Sequence, residues 1–237
     1  MSLLILLSLA LGVRLLYQHE SAVEGPMRAD AGKYVKAALN LRIFGIHSEE
    51  KPRTGFGPPQ SRTDLSPVYP LFLTLFLDAK TPAQLEKHIL IVQAILGTLT
   101  TVFTFLLARL ALGLPWATLA GVLTAASPHL VAMDGYILTE SLFTFVITLG
   151  ALILALSWST NRSSLALIAG LLLALSARVR ALGFALQFFL APLFLLDAHA
   201  PRLARKSIWA RQIIMVVLGF VAILGAHREF VLRTVTH

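Results

Sequence analysis

Long uncharged apolar runs, separated by short polar breaks, constrain this chain more than any other feature of its sequence. A helix that crosses a hydrocarbon core of roughly 30 Å needs about 20 mainly apolar residues, because each residue adds about 1.5 Å of rise. Runs of this kind fall at His88–Leu110, Pro115–Met133, Leu138–Ser159 and Ile208–Ala226, with shorter ones at Ser164–Ala177 and Leu182–Leu196. Residues Met1 to Val13 form another. That run lacks a basic leading region and a small-residue cleavage site, so it reads as a retained first span rather than a signal peptide. Arg14 and Tyr17 close it in the manner of interfacial anchors. The expected fold is an all-α, polytopic transmembrane helical bundle of about seven spans. The expected domain is a single transmembrane unit over residues 1–237, its external loop at about 18–87 and its remaining spans at about 88–226.

Composition points the same way. Apolar residues make up 57% of the chain and charged residues 14%, with a mean hydropathy of +0.77. Soluble domains carry about 25% charge, so too little polar surface is available to cover a water-facing exterior. The net charge of +8 and pI near 10.3 fit basic loops that orient the chain and meet anionic membrane lipids. No basic run is interleaved with stacking aromatics, which excludes a nucleic-acid partner. There are no cysteines, hence no disulfide and no thiolate metal site.

Orientation follows from Lys and Arg in the short connections. The loop from Asp197 to Arg211 holds Arg202, Arg205, Lys206 and Arg211, and Arg109 and Arg162 flank two other turns. With these on the cytoplasmic side, the segment from His19 to Lys87 lies outside, as a large loop containing juxtamembrane helices. The expected location is a bacterial inner membrane.

Reactive groups concentrate on that outer side. Residues Met27 to Gly45 begin as a turn and then read as an amphipathic helix, with Tyr34, Ala37, Ala38 and Leu41 on one face and Lys33, Lys36 and Asn40 on the rest. Asp30 precedes it, placed either to cap free N–H groups or to act as a general base. Tyr69, bracketed by Pro67 and Pro70, stands where the chain returns to the bilayer. Pro67 to Leu77 is apolar but too short to cross. Glu140 opens an apolar helix, where a carboxylate must cap, pair or coordinate. An oxygen-rich set of Glu140 with His129, Asp134 or Asp30 would suit a divalent cation, although the spacing carries no metal signature. Arg178 and Arg180 close another apolar run, either as snorkelling anchors or as guanidinium donors to a lipid phosphate. Phosphate-loop, H-E-x-x-H and G-x-S-x-G motifs are absent from the sequence.

Taken in order, several segments resemble the GT-C membrane glycosyltransferases that use polyprenyl-phosphate-linked sugars, the protein O-mannosyltransferase and aminoarabinose-transferase group. These segments are Gly12-Val-Arg-Leu-Leu-Tyr17, Asp30-Ala-Gly-Lys-Tyr34, Ala38-Leu-Asn-Leu41 with Gly45, and Ser66-Pro-Val-Tyr-Pro-Leu-Phe-Leu73. Ser127-Pro128, Leu138-Thr-Glu-Ser-Leu-Phe143 and Gly170-Leu-Leu-Leu-Ala-Leu-Ser-Ala-Arg-Val-Arg180 continue the series. The resemblance implies sugar transfer from a polyprenyl-phosphate donor, with Asp30 as catalytic base. It places Arg178 and Arg180 at the donor phosphate, and Tyr34, Tyr69 and Glu140 along the cleft. Two features depart from the family. Ala31 and Gly32 stand where a second acid often follows the first, and family enzymes are usually much longer. The alternative expectation is an inactive relative, serving as a membrane scaffold or as a small subunit beside a protein partner.

Overall fold

A computed structural model describes residues 3–20, 27–50, 58–60, 65–78, 81–180, 213–219 and 221–223. Every regular element among them is helical. In chain order these are α1 (Leu3–Glu20), α2 (Ala31–Phe44), α3 (Val68–Thr74) and α4 (Pro82–Ala111), then α5 (Leu114–Ala125), α6 (Pro128–Met133), α7 (Glu140–Thr160) and α8 (Ser163–Val179).

Three of the helices, α1, α4 and α7, are long and apolar enough to cross a membrane. Among the described residues, three of the expected seven spans are therefore present as helices of spanning length. The run 115–133 is two helices, because Pro128 cannot continue the hydrogen-bond ladder of α5 and instead starts α6. α8 has the composition of a span but only 17 residues. The expected span at Leu182–Leu196 and the basic loop 197–211 lie outside the described residues. Of Ile208–Ala226, residues 213–219 are helical and lie against α8, where a Cβ on Gly170 would stand 2.7 Å from the Val216 Cα. Close approach through small residues is the usual packing of apolar helices in lipid.

Local signals set the helix ends. The Thr81 hydroxyl accepts from the Gln84 amide at 3.2 Å and Pro82 occupies the first turn, a favourable start for α4. α2 stops at Gly45, whose φ of 69° is cheap only for glycine. The sides of α1, α4, α5 and α8 leave Leu4, Leu9, Leu16, Ile95, Trp116, Leu123 and Ile168 exposed. Outward apolar residues in such number suit hydrocarbon better than water.

Two short helices pack over one end of the long ones. Ala31, Val35 and Ala38 of α2 meet Tyr69 and Leu73 of α3, Ile89 of α4 and Ile137 in the turn before α7. Burying each larger apolar side chain contributes roughly 1.5–3 kcal/mol. Arg42 adds a clamp, donating to the Thr74 carbonyl at 3.1 Å and pairing with Asp78. The expected apolar face is shifted: Ala37 and Ala38 are buried, whereas Tyr34 and Leu41 are only partly so. Asn40, assigned to the polar side, is buried and donates to the carbonyls of Ser48 at 2.6 Å and Glu50 at 2.9 Å. Its amide is satisfied by the loop folding back on α2, which periodicity alone does not reveal.

That loop contains His47, whose pKa burial lowers to about 4. The folded protein therefore holds a neutral ring while the unfolded chain titrates near 6.5. The contribution is whole above pH 6.5 and is lost as pH falls toward 4, amounting to about 3 kcal/mol. Replacing His47→Gln is expected to flatten that part of the pH dependence of the melting temperature in detergent. Equal slopes for both proteins would remove His47 from the acid sensitivity.

Candidate functional site

Several candidate residues collect where α2, the start of α7 and the end of α8 come together. Beside them a cavity of about 210 Å3 opens between α1, α4, α6 and α7. Arg14, Asp134, Glu140, Ser141 and Arg180 contribute to its wall, with His129 and Gly97. Two ion pairs mark its ends. Arg14 Nε donates to Asp134 Oδ2 at 2.7 Å, with side-chain exposures of 1% and 4%. Arg180 pairs with Glu140, at 41% and 23%. The cavity thus runs from a sealed pair to an accessible one.

Arg14 corrects the sequence-based reading. It is no interfacial anchor but one of the most buried side chains in the protein, donating also to the Ala10 carbonyl at 3.0 Å. Room for it comes from Gly97 of α4, where any Cβ would overlap both the Asp134 carboxylate and the Arg14 side chain. The Gln18 amide reinforces the link, donating at 3.1 Å to the carbonyls of Leu90 and Asp134.

A polar chain continues from this pair. Asp134 is hydrogen-bonded to Ser141. Gln93 Nε2 donates to Ser141 Oγ at 3.1 Å and to the Tyr136 carbonyl at 2.7 Å. Its Oε1 accepts from the Tyr69 hydroxyl at 3.3 Å. Tyr69 is 1% exposed and does not line the cavity. It is a packed core residue and not part of an open cleft wall. Burial, followed by the nearby charge of Glu140, holds its hydroxyl protonated well above the ordinary phenol range. Its ring stands edge-on to Tyr34, with centroids 5.1 Å apart.

Tyr34 joins the two sides of the site. Burial raises its pKa, helped by the negative charges of Asp30 and Glu140, while Thr139 hydrogen-bonds to it. Arg180 also acts on it. The sequence places these residues at positions 30, 34, 140 and 180, and the fold brings them to one neighbourhood.

Asp30 itself is exposed, and its side chain makes no cap hydrogen bond; the helix start is served by its carbonyl, which accepts from Lys33 N at 2.9 Å and Tyr34 N at 3.1 Å. Its carboxylate instead pairs with Lys33 at 3.0 Å, and this contact raises the lysine pKa. The segment before α2 is tied down by Arg28, whose guanidinium lies 5.6 Å from the Tyr136 ring centroid. Arg178 separates from Arg180. It is partly buried, its carbonyl accepts from the Ser66 hydroxyl, and its Nε has no hydrogen-bond partner. Neither Asp30, Tyr34 nor Arg178 lines the cavity. His129, Asp134 and Glu140 share its wall, yet among the described residues no three His, Asp or Glu groups close on one point as metal ligands would.

Gln93 and the Arg14–Asp134 link were not identified as site elements from sequence. The available signal was their position, since a polar residue inside an apolar run needs a partner.

Removing one member of a buried pair strands the other, at a cost of about 3–5 kcal/mol. Asp134→Ala should therefore lower the melting temperature strongly, and Gly97→Val should do the same by crowding the pair. The double replacement Arg14→Met with Asp134→Leu should cost less than Asp134→Ala alone; additive losses would show that the two side chains act independently. No family model, curated protein or solved structure matches this chain.

Proposed function

We propose that this chain is a membrane glycosyltransferase of the GT-C kind. It moves a sugar from a polyprenyl-phosphate carrier to an acceptor at the external face of a bacterial inner membrane. The observation that carries the reading is the convergence around Tyr34 of Asp30, Glu140 and Arg180, residues that the family resemblance marks from three distant segments. The cavity beside them has polar groups at the end of a helical body whose outer surface is apolar. That combination suits a ligand with a charged head and a hydrocarbon tail.

In this reading the acceptor oxygen attacks the anomeric carbon while the bond from that carbon to the phosphate oxygen breaks. The acceptor proton passes to Asp30, which solvent exposure keeps within reach of an incoming acceptor. The phosphate leaves with the bonding electron pair, and Arg180 stabilises the charge that develops on it. Lys33 pairs with the Asp30 carboxylate and so fixes its position at the start of α2. Tyr34, which feels the charges of Asp30, Glu140 and Arg180, orients the sugar in this reading.

One observation favours a second reading. Asp30 lies outside the cavity wall and is already paired with Lys33, as in a relative that keeps the fold as a scaffold or subunit without turnover. A single replacement separates the two. Asp30→Asn is expected to reduce transfer from a synthetic lipid-linked sugar at least a hundredfold, the usual contribution of a general base. Donor binding should survive that change, whereas Arg180→Ala should weaken it with the fold intact. Unchanged turnover in Asp30→Asn would exclude it as the base, and absence of turnover in the wild-type protein would favour the scaffold.

A further inference from the structure

The charge that the proposed chemistry needs for its leaving group is occupied in this structure. Arg180 Nη1 donates to Glu140 Oε1, and both side chains stand at the exposed end of the cavity. A carboxylate and a phosphate offer a guanidinium the same kind of paired oxygens, so they compete for the same donors. An ion pair this open to water is weak and readily exchanged, in contrast to the sealed Arg14–Asp134 pair at the other end.

Glu140 also has support apart from Arg180. The Thr139 hydroxyl lies 3.3 Å from its second oxygen, Oε2. Its position in the first turn of α7 places the carboxylate at the positive end of the helix dipole. Releasing Arg180 would therefore not leave a bare buried charge. Arg180 stands one residue beyond α8, and its side chain is 41% exposed, so solvent can take over the contacts it gives up.

We propose that Glu140 is an internal stand-in for the ligand's phosphate: a lock on Arg180 that a polyprenyl phosphate displaces when it enters. The inference rests on the glycosyltransferase reading and assigns the regulation of that same site. It reverses the role that proximity alone would give Glu140. A residue that merely supports Arg180 strengthens ligand binding, whereas a competing anion weakens it by the cost of breaking the lock. The sign of the effect on affinity distinguishes the two.

The test uses the full chain in detergent, titrated with farnesyl phosphate, with farnesol and inorganic phosphate as controls. Glu140→Gln is expected to bind farnesyl phosphate up to about fivefold more tightly than the wild-type protein, the upper end for releasing one exposed ion pair. Glu140→Asp, whose shorter side chain loosens the pair while keeping the charge, should fall between them, and it carries the test if the glutamine variant does not fold. In an Arg180→Ala background the gain should vanish. Unchanged or weaker binding in both variants, with the wild-type protein still preferring farnesyl phosphate to farnesol, overturns the lock and leaves the functional reading standing. No such preference in any of the three proteins overturns both. Tightening seen with inorganic phosphate alone supports the exchange at Arg180 and overturns a lipid as its source.

Discussion

The buried pair of Arg14 and Asp134 holds together the parts on which everything else depends. It joins the first helix to the turn that follows α6, across a gap left open by Gly97 of α4. Three segments far apart in sequence are thereby fixed at one depth. The turn between α6 and α7 then presents Tyr136, Thr139 and Glu140 to α2 and α8. Charges removed from water so completely add little stability on balance against an apolar alternative, but losing one partner is severe. Their value here is positional: the pair ties α1 to the turn beside α4.

From that anchor, polarity runs outward in steps. Ser141, Gln93 and Tyr69 form a hydrogen-bonded chain leading to Tyr34, and beyond it come Asp30 and the Glu140–Arg180 pair. The opposite ends of the helices differ sharply. There, Arg109 and Arg162 flank tight turns, and no acidic residue accompanies them within the turns 112–113 and 161–162. The described helices thus form an apolar body with one elaborated polar end and one basic, sparse end. α2 and α3 serve it as a cover, held by the core around Tyr69 and Leu73 and by the Arg42–Asp78 contact.

Much of this was legible in the sequence because hydrocarbon leaves few choices. Apolar runs of spanning length can hardly be anything but helices, and α1, α4 and α7 lie within about eight residues of the runs that announced them. The amphipathic stretch before Gly45 was equally plain. Pro128 was read through, however, since composition averages over a single helix-breaking residue. Arg14 was misjudged because its nearest sequence neighbours resemble an interface, while its partner lies 120 residues away. Asn40 failed for a related reason, its amide being satisfied by a loop that hydropathy does not describe. Candidate residues at this end of the helices stood out because polar groups are scarce in the chain. Their division into lining and non-lining members depended on side-chain packing, which spacing cannot supply.

The central claim is that the accessible end of the cavity receives a lipid phosphate at Arg180. The most direct measurement is an experimental structure of the full chain with farnesyl phosphate bound. The account predicts phosphate oxygens about 2.7–3.0 Å from the Arg180 guanidinium, Glu140 turned away, and the prenyl chain running along the apolar helices. Phosphate density elsewhere, or an Arg180–Glu140 pair unchanged beside a saturated ligand, would contradict it.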